Sequence, residues 1–248
     1  CKVHMGLNCL VEIWCGHIRQ TLPASLNAYY EGLRTGEFEY ASYSLAAHTV
    51  QSLLAGKALV DIQEECLIYC NALKRLRQMS AYSYINIIDT FVENIRSETE
   101  TALNFSFDGK SEEESIEVFL SSNNNLAVFL VYLCKAKERF IRRDFSTCLE
   151  HLAKAVEYSK NSFNIVSTVV INMMDSLSRL ALARDGSLNE SLVVKEVRKN
   201  QKKMKRWATQ VPMNHQHKYD LVEAELCWLS GKQEKADCYY EKAVKGAR

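Results

Sequence analysis

Glycine and proline are scarce in this chain while apolar residues recur at steps of three and four. The 248 residues include 9 glycines and 2 prolines. A β-sandwich or barrel needs a turn every ~8–12 residues, marked mostly by those two residue types. Long stretches here have neither, which constrains the chain toward helices. Leu59, Ile62, Cys66, Cys70, Leu73 and Leu76 trace one apolar stripe, with Asp61, Glu64, Lys74 and Arg75 on other faces. Phe145, Leu149, Leu152 and Val156 repeat the pattern, as do Val222, Leu226 and Leu229. From Ile165 to Leu182 the chain is apolar more broadly: Ile165, Val169, Met173, Leu177 and Leu180 form one stripe, and Val166, Val170 and Met174 widen it. That breadth predicts a central helix, covered on more than one side. Its β-branched start also suits a strand, but length and the Met–Leu continuation favour helix.

The breaks between these stretches are legible. Gly36, Gly56, Gly186 and Gly231 each follow a periodic stretch, where a left-handed C-terminal cap suits glycine. Pro23 opens a helix expected over Ala24 to Leu33. Pro212 is expected in a short loop, Gln210 to Asn214. The most polar stretch, Asn104 to Ser115, reads as a loop, and Asn123 to Asn125 offer an N-cap for a helix over Leu126 to Ile141. About ten helices joined by short loops are expected.

With 47% hydrophobic and 25% charged residues, the balance is that of an ordinary globular protein. A chain this long buries about 70–75% of its unfolded surface and needs no staples. A net charge of +1 supplies no global field toward nucleic acid or membrane. Nine cysteines, an odd count without any C-x-x-C, predict free thiols in a reducing, cytoplasmic compartment. No apolar run reaches about 18 residues, so no membrane span is expected. Residue 1 is Cys, and the last residues continue a helical pattern to Arg248, so a fragment of something longer is expected.

One segment is more specific. Gly231, Ala236, Tyr240 and Ala243 stand at the spacing of the second helix of a tetratricopeptide repeat, where small residues let two helices approach closely and an aromatic fills the groove. Gly36, Ala41 and Leu45 follow the same spacing, with His48 where a small residue is usual. So do Arg143, Cys148, Leu152 and Ala155. The three turns do not recur at a fixed period of about 34 residues. The predicted fold is therefore all-α, a tetratricopeptide-like array of helical hairpins (an irregular α-solenoid), with an irregular helical bundle as the alternative. It divides into N-terminal hairpins over 1–103, a polar loop over 104–125, and C-terminal hairpins over 126–248. Such an array presents an extended concave surface.

Several stretches in order carry a family resemblance. They are Leu22-Pro-Ala-Ser-Leu26, Tyr30 to Ala41, Leu54-Ala-Gly-Lys57, Ala81-Tyr-Ser-Tyr-Ile85, Asn123 to Asn125, Lys205-Arg-Trp-Ala208, and His217 to Leu226 running into Gly231. Together, over roughly Trp14 to Arg248, they resemble the long helical region of large multidomain signalling kinases. In that family a serine/threonine-kinase-like domain and an AAA-type ATPase module precede the helical region, and a GAF domain and a histidine kinase or similar output follow it. The chain departs from the pattern in its many Cys and Asn and in a polar insert at Phe107 to Glu114. The resemblance implies a parent kinase in two-component signalling. This segment would serve it as a non-catalytic scaffold or relay whose partners are neighbouring domains, another protein or a second copy. The alternatives are a ligand-sensing domain that binds a small molecule or peptide in its groove, and a free-standing helical regulator of transcription.

The chain's own chemistry is sparse. No G-x-x-x-x-G-K-[ST] or G-x-G-x-x-G phosphate cradle occurs, and no H-R-D or D-F-G. Cys66 and Cys70, spaced i and i+4, could face one metal ion, but they lie on the apolar stripe with Ile62 and Leu73 and fit a core better. His215 and His217 point about 200° apart on a helix and fit a solvated loop or helix start. Lys195, Arg198, Lys199, Lys202, Lys203, Lys205 and Arg206 form a basic face between 195 and 207, with Val193, Val197, Met204 and Trp207 as its apolar stripe. Such a helix can bind membranes, proteins or nucleic acid, but it equally packs its apolar side and solvates the rest. Interleaved aromatics for stacking on bases are missing. Tyr29, Tyr30, Tyr40 and Tyr43 could line a groove, or pack between helices. No catalytic, cofactor-binding or metal-ligating residue is nominated, no cofactor is expected, and no nucleic acid is expected as a partner.

Overall fold

The computed structural model describes residues 1–97, 104–159 and 165–247, without the side chains of Ile165 and Val166. Arg248 and the first residues of the apolar stripe at Ile165 and Val166 thus fall wholly or partly outside the described residues. Among the described residues there are twelve α-helices: α1 (Lys2–Leu10), α2 (Thr21–Thr35), α3 (Phe38–Leu54), α4 (Leu59–Arg75), α5 (Met79–Arg96), α6 (Glu112–Ser121), α7 (Asn125–Ile141), α8 (Phe145–Tyr158), α9 (Ile165–Arg184), α10 (Glu190–Gln210), α11 (Pro212–Leu229) and α12 (Gln233–Ala247). Two single 3-10 turns, Glu12–Trp14 and Ile18–Gln20, join α1 to α2. The fold is all-α. The nearest approach to a sheet among the described residues is a lone bridge between Phe107 and Lys110, closed by Asp108 and Gly109 in the left-handed region.

The glycines mark their turns as expected. Gly36, Gly56, Gly186 and Gly231 have φ of 78°, 74°, 83° and 70°. The same turn also forms where no glycine stands, at Arg77, Asn123 and Arg143, with φ of 55°, 55° and 63°. After six of these residues the next N–H reaches back to a carbonyl in the last helical turn. Glu37 N donates to Gly32 O at 2.9 Å, Gln78 N to Leu73 O at 3.0 Å and Asp144 N to Arg139 O at 2.9 Å. Lys57, Asn124 and Lys232 repeat the bond. Each bond satisfies an orphan carbonyl and reverses the chain. The pairs α2–α3, α4–α5, α7–α8 and α11–α12 pack along their lengths. Small residues sit where they meet: Ala41, Cys148 and Ala236 are each 0% exposed. A Cβ on Gly32 would lie 2.7 Å from that of Ala41, so α2 and α3 approach as closely as backbone permits. His48, expected to be a poor fit, is tolerated because its Nδ1 lies 3.1 Å from Leu22 O.

Two readings of local structure need correcting. The polar stretch from Asn104 is only partly loop, because Glu112 to Glu114 form the first turn of α6. Ser111 and Glu114 make a reciprocal capping box: Glu114 N donates to Ser111 Oγ at 3.3 Å and Ser111 N to Glu114 Oε2 at 2.8 Å. Phe105 and Phe119 then enter the main core with Ile85, Phe91 and Phe129, so the 104–125 segment is anchored in the core rather than solvated. Pro212 is not in a loop but at the first position of α11, where its missing N–H costs nothing, and Val211 alone separates α10 from α11. The turns after α1 meet the start of α11, where Asn214 bonds to Ile13, Gly16 and Ile18.

The expected centrality of α9 is seen: it packs against α7, α8, α10 and α11. Its length is helical throughout, including the β-branched start. α7 is also deeply covered: Ala127, Val128, Phe129, Leu130 and Val131 are all buried.

Candidate functional site

The contact between the first turns and α11 centres on the Asn214 side chain. Asn214, on the first turn of α11, accepts the Ile18 N–H at Oδ1 (3.1 Å) and donates from Nδ2 to Ile13 O (3.3 Å) and Gly16 O (2.9 Å). Beside it Trp14 tilts against His215, ring centres 5.6 Å apart. The two 3-10 turns leave exactly these backbone groups without helical partners, because their short hydrogen-bonded runs satisfy few of them.

Under this contact lies a cavity of about 300 Å³. Its apolar wall includes Ile13, Ile18, Leu54, Val169 and Met213. Its polar wall includes His17, Arg19, Asn214, His215, His217 and Lys218. His215 is 5% exposed. Burial pushes the His215 and His217 rings down to about 4, helped by the neighbouring Lys218 charge. The Lys218 ammonium is pushed down to about 8, by burial alone. It donates to Asn214 O at 2.6 Å and lies 2.9 Å from His217 Nε2. The two histidines do stand at a helix start, but they are largely withdrawn from water rather than solvated, because α11 is covered here by both the N-terminal turns and α12. Gly246 lets α12 pass close to His217, since a Cβ there would lie 3.2 Å from the His217 Cβ.

A second hollow of about 250 Å³ lies among α3, α5, α7 and α9, lined by Leu53, Phe91, Ile95, Phe140 and Met173, with Lys137 as its polar member. Burial lowers the Lys137 pKa.

The other residues weighed from sequence fall elsewhere. Cys66 and Cys70 are buried with Ile62 and Leu73 in the main core. No group of three His, Cys, Asp or Glu side chains able to hold a metal occurs among the described residues. On α10, Val193, Val197, Gln201, Met204 and Ala208 are buried, whereas the seven cations of 195–207 are exposed. Gln201 Nε2 ties this face to α11 through Tyr219 O (3.1 Å) and Glu223 Oε1 (2.9 Å). Of the four tyrosines, Tyr29 and Tyr43 pack against the main core, Tyr29 tilting on Tyr30 with ring centres 5.2 Å apart and Tyr43 stacking on Tyr84; Tyr30 is 63% exposed, and Lys2 sits over the Tyr40 ring. No helix among the described residues is long and apolar enough to cross a membrane.

Sequence reasoning missed His17, Arg19, Asn214 and Lys218 as a group. Each is unremarkable in its own segment, and only the long-range contact brings them together. No family model, no curated protein and no solved structure matches this chain.

Proposed function

We propose that the chain is a non-catalytic, tetratricopeptide-like helical scaffold of a multidomain signal-transduction kinase, acting in the cytoplasm as a relay between an ATPase-side input and a GAF and kinase output. The observation that carries the reading is the repeated hairpin. Gly36, Arg143 and Gly231 each reverse the chain in the left-handed region, and each is followed by a fully buried Ala41, Cys148 or Ala236 at the helix crossing. Repeated hairpins of this kind build binding surfaces along their outer helices. On α4 the outward residues Leu67 and Ile68 are 65% and 64% exposed, opposite the buried Cys66 and Cys70, and they provide an apolar contact face for a partner or neighbouring domain.

The ordered set of sequence stretches that resembles the helical region of signalling kinases is the support for that parent. The test is the reading frame on either side of the chain, together with the isolated segment. Adjoining ATPase and GAF or kinase modules, and a segment that neither hydrolyses ATP nor becomes phosphorylated alone, support the reading. A frame that encodes no such modules, or ATP turnover by the segment, overturns it.

A further inference from the structure

The cavity between the first turns and α11 has a chemical character that packing does not demand. Among its described lining residues are two cations, Arg19 and Lys218, and three histidines, and there is no aspartate or glutamate. Buried charges are ordinarily paired or hydrogen-bonded to opposite charge. Here the Lys218 ammonium uses two of its three donors on Asn214 O and His217 Nε2.

The hydrogen bonds also fix where the ring protons are. With Lys218 donating to His217 Nε2, the His217 proton resides on Nδ1, a buried atom with no acceptor. His17 Nδ1 accepts the Arg19 N–H at 3.1 Å, which places the His17 proton on Nε2. His215, nine-tenths buried and lining the same cavity, has an unpartnered Nδ1. The start of α11 has no side-chain cap, so its positive end is also directed to this region. Positive potential from Arg19, Lys218 and the helix end thus accumulates against one apolar wall of Ile13, Ile18 and Leu54.

We propose that this cavity is a binding site for a small phosphomonoester: the phosphate is held by Lys218 and His17 with Arg19 at the rim, and an organic body rests on Ile13, Ile18 and Leu54. The volume of about 300 Å³ exceeds that of a bare phosphate and suits a body the size of a single ring. A bound dianion supplies the missing opposite charge beside Lys218 and restores its full protonation. The inference goes beyond the scaffold reading and does not rest on it.

Titration calorimetry of the whole chain with phenyl phosphate, inorganic phosphate and phenol tests it. Phenyl phosphate binds tightest, inorganic phosphate about tenfold more weakly, and phenol not at all. Lys218→Met and Arg19→Ala each weaken phenyl phosphate binding by about tenfold or more. Because Arg19 is exposed, Arg19→Ala keeps the test open if Lys218→Met fails to fold. Lys202→Gln, on the exposed basic face of α10, leaves binding unchanged. Absence of binding by both phosphates, affinity untouched by Lys218→Met and Arg19→Ala, or loss of binding in Lys202→Gln would each overturn the proposal.

Discussion

The Asn214 Oδ1 accepts the buried backbone N–H of Ile18, a residue 196 positions earlier, at 3.1 Å. The same amide donates to Ile13 O and Gly16 O. One side chain therefore satisfies three main-chain groups that the 3-10 turns leave open. Replacing it by alanine strands buried polar atoms, and Asn214→Ala costs about 1–3 kcal/mol. The loss is local as well as global: amides from Ile13 to Ile18 exchange with solvent faster by native-state hydrogen exchange, while those of α7 keep their protection. Uniform protection across both segments would show that the junction does not depend on Asn214.

Burial holds His151, His215 and His217 down to about 4, from an ordinary value of 6.5. A histidine whose folded pKa is depressed binds fewer protons folded than unfolded between those two values. Stability is therefore complete above pH 6.5 and falls as pH drops from 6.5 toward 4. Urea midpoints measured across that window decline with acid. Substituting His215 by Asn flattens part of the slope. A flat profile over this range would contradict the buried, neutral state of these rings.

Arg143 reverses the chain at φ 63° without being glycine, and its side chain is exposed. A residue with a Cβ pays a steric penalty there that exceeds the entropic cost of glycine. Arg143→Gly is expected to stabilise the fold by about 0.5–1 kcal/mol, read as a higher denaturant midpoint at unchanged slope. Gly231→Ala, at φ 70°, moves stability the opposite way by a similar amount.

The nine cysteines are all free and differ in accessibility. Cys15 and Cys238 are exposed. Cys66, Cys134 and Cys148 are buried, and burial pushes the Cys134 thiol up to about 12 and the Cys148 thiol up to about 11. Under native conditions Ellman's reagent modifies Cys15 and Cys238 rapidly, because the thiolate is the reactive species. Cys66, Cys134 and Cys148 react only at the rate of unfolding, and mass spectrometry of quenched samples separates the two classes. Prompt modification of Cys66 would contradict its place in the core.

What the sequence determined by itself was local. The stripe from Leu59 to Leu76 needs only the helical period, and the turns at Gly36 and Gly231 need only a residue free to adopt positive φ. Both are properties of a few neighbouring residues, so they were legible without coordinates. The capping box of Ser111 and Glu114 was equally local, though the surrounding polar residues obscured it. Tertiary structure decided the rest. Nothing near Asn214 in the chain marks it as the partner of Ile18, and nothing near Lys218 marks it as lining one cavity with His17. Those facts arise when α11 returns to the first turns of the fold, where desolvation and missing countercharge are set by residues about two hundred positions away. Periodicity fixes how each helix buries itself; which helix ends meet depends on how all of them pack.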